Sequence, residues 1–487
     1  MAYLHQIDTN EMDTRLAVPV SGTAGLQVVV GTAPVNMVKK PEKAVNHPII
    51  AYNYGEAVRQ LGYCSDFANY TLCQSISANF KVFNISPVIF INVLDPQKHK
   101  KDYSRESVPV VSKIVRINEP GIMLQGLIVS VTSETGAVRL EQDVDYMAEF
   151  NMAGGLDLTL LSTEKTGTVT EVKVTGTQLD PSKVTKEDII GGYNMMTGKE
   201  SGIELVRQIY PRFGMVPGLL LAPGWSKEPE VAAALAAKTE GLNGVFTCEC
   251  AVDMDTGKYK TYSSLKEGKE AMGFASRHGI LLWPKVKLGE DVYDYSAIWA
   301  AMTAYTDARN GDVPAKSPSN ELLNMSSAVL EDGTEVTLDT SQAALVNSFG
   351  IVTAINDNGW HSWGNNTASY PSTTDPKDRW ICCRRMMSWY RNHFILSYKQ
   401  KIDDPTNYRL IESVVDAENQ YLNSLSGTER IAGGEISFSE EDNPITSILN
   451  GQIVFYTKIA FWTPAEHITN NIEFDPAMIQ NALGGGA

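Results

Sequence analysis

Short apolar runs bounded by Gly and Pro set the rhythm of this chain. Leu26-Gln-Val-Val-Val-Gly31, followed by Pro34, has the pattern of a covered strand, and Ser86-Pro-Val-Ile-Phe-Ile-Asn-Val-Leu94 is the continuous run expected of a strand buried on both faces. Helices are predicted between them, near Tyr54–Leu61 and Thr71–Asn79. Residues 1–20 are too poor in apolar groups to hold themselves down, Asp8-Thr-Asn-Glu-Met-Asp-Thr-Arg15 above all.

The texture changes near Ser107. Up to about Thr185 the chain reads as short strands joined by Gly turns: Gly126–Val131, Leu156–Leu160, and Thr168–Thr175 with strict alternation. This predicts an inserted β domain. After Gly191 strands and helices alternate. Helices are expected near Gly202–Tyr210, Pro229–Thr239 (with Pro in its first turn), Ser263–Arg277 and Asp294–Arg309. Strands are expected at Pro217–Ala222, Val245–Val252 and Gly279–Val286. The rhythm implies βαβ units and a largely parallel sheet.

The last third continues with Ser341–Ser348 and Gly350–Ile355. Trp380-Ile-Cys-Cys383 reads as a strand, which would turn its two cysteines opposite ways. Arg384–Gln400 and Arg409–Leu425 read as helices, and Gly451–Trp462 as a long strand stopped by Pro464. Each end carries a short potential strand, near Tyr3–Ile7 and Asn471–Asp475. A lone strand must find a sheet edge, either its own or a neighbour's.

Composition narrows the class. The chain has 487 residues, 43% hydrophobic and 20% charged, enough for about three domains and incompatible with collagen or wholesale disorder. A formal net charge of −16 argues against nucleic-acid binding by bulk charge. No apolar run reaches the roughly 20 residues of a membrane span. The start, Met1-Ala-Tyr-Leu-His-Gln-Ile, lacks the basic and apolar regions of a signal peptide. Cys64, Cys73, Cys248, Cys250, Cys382 and Cys383 form no metal or disulfide framework and read as buried free thiols from a reducing cytoplasm.

Catalytic chemistry is hard to find. Gly192-Tyr-Asn-Met-Met-Thr-Gly-Lys199 is one residue too long for a phosphate loop, and Glu200 stands where a hydroxyl belongs. No two histidines have helical i, i+4 spacing, and His361 lies between Trp360 and Trp363 without a nucleophile. The adjacent Asp403 and Asp404 precede Pro405, as in a turn. An α/β enzyme of unknown reaction is the alternative reading, resting on fold analogy alone.

Charge patterning is sharper. From Lys377 to Arg409, eight cations (Lys377, Arg379, Arg384, Arg385, Arg391, Lys399, Lys401, Arg409) face three acids (Asp378, Asp403, Asp404), a net +5. From Leu410 to Asp442, eight acids (Glu412, Asp416, Glu418, Glu429, Glu435, Glu440, Glu441, Asp442) face Arg430 alone, a net −7. Two readings fit equally: the blocks neutralise each other within one subunit, or they pair between successive subunits.

The order of these features resembles the contractile tail sheath family of bacteriophages and contractile bacteriocins. The likeness spans nearly the whole chain. It is carried by Asp188-Ile-Ile-Gly-Gly-Tyr193, Pro217-Gly-Leu-Leu-Leu-Ala-Pro-Gly224, Lys316-Ser-Pro-Ser-Asn320, Leu345–Val352, Trp363-Gly-Asn-Asn-Thr367, Trp380–Arg385, Gly433–Phe438, Asn443 and the Gly451–Pro464 segment. Asn366 departs from the family's Arg in a W-G-x-R-T element.

The resemblance implies a mixed α/β (α+β) sheath core with an inserted β-rich domain and extended N- and C-terminal arms. Its divisions are an N-terminal arm (1–20), the first part of the core (21–106), an outer β-rich insertion (107–187), an α/β middle domain (188–340), an inner sheath domain (341–464) and a C-terminal arm (465–487). It further implies a non-enzymatic subunit without cofactor, catalytic site or metal. Such a subunit polymerises helically around an inner tail tube protein, between baseplate and tail terminator proteins, in a virion or bacteriocin tail assembled in the host cytoplasm. Neither nucleic-acid binding nor membrane insertion is expected. Leu4, Ile7, Ile472 and Phe474 on the arms, and Arg384, Arg385, Arg391, Glu412 and Asp416 in the charge blocks, are the expected subunit-interface residues. Exchange of Arg384 and Arg385 for Glu is then expected to weaken assembly without unfolding the chain.

Overall fold

The computed structural model describes residues 20–133, 136–151, 153–167 and 169–484. Its centre is an eight-stranded sheet in the order Trp360–Trp363, Ile351–Asn356, Gly279–Leu282, Glu249–Asp253, Leu219–Leu221, Gln27–Gly31, Val88–Asn92, Pro48–Ala51. The six inner strands are parallel, and each edge is closed by an antiparallel strand. Gln27–Gly31, Val88–Asn92 and Glu249–Asp253 are buried at every position, which explains the apolar residues at their centres.

The helix Tyr295–Arg309 is the hub of the core. Twelve of its fifteen residues are buried, so it shows no polar stripe. Its alanines let the backbone of residues 22–25 approach closely: a Cβ on Gly25 would lie 2.8 Å from Ala304 Cα.

A separate seven-stranded antiparallel sheet is inserted between strand Val88–Asn92 and helix Lys186–Ile190. It has its own apolar core, including Val115, Val129, Leu156, Leu158, Val172 and Val174. Its entering strand, Lys100–Val111, pairs along its length with its departing strand, Glu171–Leu179, which closes the neck of the insertion. The sheet thus begins at Lys100 and not near Ser107. Residues 100–106 carry no apolar alternation because only Tyr103 among them is buried, so pairing holds the strand there.

Beyond Pro376 the chain builds a module of two helices, Ile381–Tyr398 and Tyr408–Gly427, against the strand pair Gly433–Phe438 and Phe455–Ala460. Trp380–Cys383 is not a strand: the helix starts at Ile381. Its first six residues are all buried, and a segment buried on every side loses the polar face that would mark it as helical. The expected Gly451–Trp462 strand is shortened to Phe455–Ala460, and residues 202–208 form a 3₁₀ helix before the short α-helix Ile209–Phe213. All six cysteines are free and buried.

The carboxyl ends of the parallel strands, where α/β folds usually hold ligands, are filled by the protein itself. Asp253, the last residue of its strand, accepts hydrogen bonds from Ser226 Oγ (3.1 Å), Ser296 Oγ (2.6 Å) and Ser296 N (2.8 Å). Asp294 lies beside it, bound by Lys285 Nζ (2.8 Å) and Gln74 Nε2 (2.9 Å). Burial, and then the Asp294 carboxylate, push Asp253 up to about 6, whereas Asp294 is held low despite burial by Lys285. A folded pKa above the unfolded value means that this group's contribution to stability is greatest below about pH 4 and is lost as pH rises through about 6. Asp253→Asn should therefore match the parent near pH 4 and exceed it at pH 7 by on the order of 2 kcal/mol. Urea unfolding across that range measures the difference, and parallel curves for the two proteins would contradict it.

Candidate assembly surfaces

The basic block is largely consumed inside the subunit. Arg385 on the first module helix is 3% exposed and forms a two-pronged ion pair with Asp307 of the hub helix, Nη1 to Oδ1 at 3.1 Å and Nη2 to Oδ2. Arg384 is equally buried and bonds Asp378 Oδ1 at 2.9 Å. One turn on from Arg385, Ser388 Oγ donates to Glu249 (2.6 Å), and Asn392 brackets Thr247, accepting from its N (3.0 Å) and donating to its O (2.6 Å). The helix is thereby fastened to the amino ends of the central strands. Arg384 and Arg385 are thus corrected from surface to interior residues. Neither reading of the charge blocks describes them, since their partners Asp378 and Asp307 lie outside the acidic block.

Arg379 is held between rings, its guanidinium 3.8 Å from the Trp380 ring centroid and 4.6 Å from that of Tyr370. Its Nε donates to Asn366 Oδ1 at 2.9 Å, and its Nη2 bonds Glu466 Oε2 at 2.7 Å. Asn366, where the family pattern has Arg, thus receives a guanidinium from Arg379 instead. The Glu466 contact pins the start of the C-terminal arm to the body.

The remaining charges face outward. Arg391, Glu412 and Asp416 are exposed, and none of the three forms an ion pair among the described residues. Glu418 is the exception in the acidic block. It is buried between the helices, accepting from Tyr398 Oη at 2.9 Å with His393 Nε2 at 3.7 Å. Burial alone would raise this carboxyl, but the hydrogen bonds of His393 and Tyr398 hold it below its ordinary value.

Leu4 and Ile7 lie outside the described residues. Ile472 and Phe474 lie on the C-terminal arm, which leaves strand Phe455–Ala460, runs without regular structure to Asp475 and ends in helix Pro476–Gly484. They are 87% and 77% exposed, and Ile468 on the same alternation is 84% exposed. The strand pair Gly433–Phe438 and Phe455–Ala460 has no third strand among the described residues; Asn419 takes the outer N and O of Ile436 on the first strand, and the outer edge of Phe455–Ala460 has no strand partner. Among these residues no helix is long and apolar enough to cross a membrane, and no group of three or more His, Cys, Asp and Glu side chains converges as metal ligands would.

No family model matches the chain. Individual relatives do. The tail sheath protein of Burkholderia phage BcepMu is 25% identical over 99% of both chains. The tail sheath protein of Escherichia phage P2 is 25% identical over 56% of this chain and 67% of its own. The chain is a homologue of phage tail sheath proteins. Solved contractile sheath assemblies share the fold of this sheath homologue. A chain of the anti-feeding prophage baseplate superposes with a TM-score of 0.58 at 15% identity, covering 97% of this chain and 100% of its own. A chain of the contracted sheath complex of the extracellular contractile injection system PVC gives 0.56 at 15% identity, covering 98% and 99%.

Sequence reasoning missed Asp307 as a partner in this sheath homologue. A signal existed: Asp307 is the one charged residue in the stretch from Tyr295 to Ala308, and a charge in a helix buried nearly all round needs a counter-charge. Arg385→Met strands that carboxylate and should destabilise the protein by about 3–5 kcal/mol in urea unfolding. Adding Asp307→Leu should restore most of the loss. The double exchange of Arg384 and Arg385 for Glu is now expected to unfold the module, visible as lost solubility rather than as a selective assembly defect.

Proposed function

We propose that this chain is the structural subunit of a contractile tail sheath. Copies stack helically around an inner tail tube, between a baseplate and a terminator, and shorten to drive the tube through a bacterial envelope. The virion tail is its place of action, and the host cytoplasm its place of assembly. The seven-stranded insertion faces outward and the module beyond Pro376 faces the tube.

One observation carries the strand-exchange part of this reading. The C-terminal arm has exposed apolar residues at Ile468, Ile472 and Phe474 and joins no sheet among the described residues, while strand Phe455–Ala460 offers an open edge. An exposed extended segment and an exposed edge on the same chain are complementary halves of strand addition between copies. The arm is attached to its own body at Glu466, whose bond to the partly buried Arg379 has to be released for the arm to be redirected.

No cofactor enters this mechanism. Each subunit requires two packings that differ by about a few kcal/mol, and summation over many copies yields mechanical work. Deletion of residues 465–487, or of residues 1–18, should give a folded, soluble monomer that forms no tubes in negative-stain microscopy, under conditions where the full chain does. Tubes from either truncated protein would refute strand exchange by that arm.

A further inference from the structure

The cations of the module beyond Pro376 are mostly spent within the subunit, but most of its carboxylates, Asp378 and Glu418 apart, are not. Glu412 and Asp416 stand one turn apart on the Tyr408–Gly427 helix, and Glu440, Glu441 and Asp442 follow strand Gly433–Phe438. All five are exposed, and none forms an ion pair among the described residues. The strand runs antiparallel to the helix, with Gly434 against Leu422 and Ile436 bonded to Asn419. The chain therefore leaves Phe438 toward the helix end that carries Glu412 and Asp416, so five negative charges gather at one end of the module, against Arg409 on the first turn of the same helix.

Apart from Arg391 and Arg409 of the module itself, unspent positive charge is gathered elsewhere. Lys39, Lys40, Lys43 and Arg59 rim a groove of about 730 Å³ beside the edge strand Pro48–Ala51, over apolar side chains that include Met37 and Ile49. The four cations are exposed and unpaired among the described residues, and Glu42 in the same turn does not engage them. No residue of the inner module lines the groove, so the two patches do not meet within a subunit.

We propose that this groove receives the acidic end of the inner module of a second copy of this chain. The inference rests on the sheath reading above and names one of its lateral contacts. A contact between two different patches is heterologous, and such a contact extends into a helical array when its rotation does not close a ring. Complementary charge lowers the repulsion between subunits of net charge −16 and orients their approach. The same net charge disfavours a nucleic acid as occupant.

The test is a charge exchange in the full-length chain, followed by sedimentation and negative-stain microscopy at about 50 mM and about 500 mM salt. Lys39→Glu/Lys40→Glu/Lys43→Glu and, separately, Glu440→Lys/Glu441→Lys/Asp442→Lys should each raise the protein concentration needed for assembly about tenfold at the lower salt. An equimolar mixture of the two variants should assemble better than either alone, because each groove then meets an end of opposite charge on the other variant, and the combined six-fold variant should also recover. Unchanged far-ultraviolet dichroism and melting would show that the variants fold. Parent tubes with both triple variants unaffected would overturn this contact and leave the sheath reading standing. A parent that stays monomeric throughout would overturn both. Binding of a labelled DNA duplex that the lysine variant abolishes, with assembly intact, would assign the groove to nucleic acid instead.

Discussion

The two-pronged pair between Arg385 and Asp307 fixes the module beyond Pro376 to a body whose main core it enters at Ile381 and touches at Ile395. Its own cluster, Met386, Tyr390, Leu422, Leu425 and Ile431 with Val313 of the body, is small, and so little buried surface leaves its orientation to be set by polar bonds. Asp307 belongs to the hub helix, which is immobilised by burial on nearly every side. A bidentate bond from that helix sets both the position and the rotation of the helix bearing Arg385. Ser388 and Asn392, one and two turns further on, repeat the attachment to Glu249 and Thr247. The placement of the acidic end, the open strand edge and the arm all follows from this docking. A hydrophobic pair could supply comparable stability, but it would not define the rotation as narrowly.

This docking also explains the uneven charge of the molecule. The basic block from Lys377 to Arg409 looks in sequence like a positive face matched to the acidic block that follows. In the folded chain its first half points inward, toward Asp307, Asp378 and Glu466. The carboxylates of the second helix and of the turn after Phe438 stay in solvent. The module is thus more acidic outside than its sequence suggests, and its complement must be sought in a different stretch of chain.

The central sheet was legible because its strands are buried on both faces, and unbroken apolar runs between Gly and Pro have few other meanings. Leu156–Leu160 and Tyr54–Leu61 fall where their alternation and periodicity place them. Two kinds of segment were not legible. The first half of Lys100–Val111 is exposed apart from Tyr103 and half-buried Lys100 and is held by pairing with Glu171–Leu179, so no alternation of side chains records it. Trp380–Cys383 failed for the opposite reason: burial on all sides removes the contrast from which periodicity is read. Arg384 and Arg385 were misplaced because charge normally marks a surface, and the information that reverses this lies at Asp307, seventy-eight residues away. The family resemblance rested on the order of many weak motifs and did not depend on any of these local assignments.

A subunit that must stay linked while its neighbours shift needs two classes of contact with different physics. Main-chain strand pairing is directional, indifferent to most side chains and insensitive to salt, so it suits a permanent tether. Contacts between exposed charges are individually weak and tolerant of geometry, and they re-form with other partners at little loss. This chain separates the two. Its open strand edge and arm carry few charges (Lys458, Glu466, Glu473 and Asp475), and most of its unpaired charges sit on a helix end, a turn and a groove. If the two functions shared one surface, breaking the ionic contacts would disturb the tether. Kept apart, one set can exchange partners while the other holds.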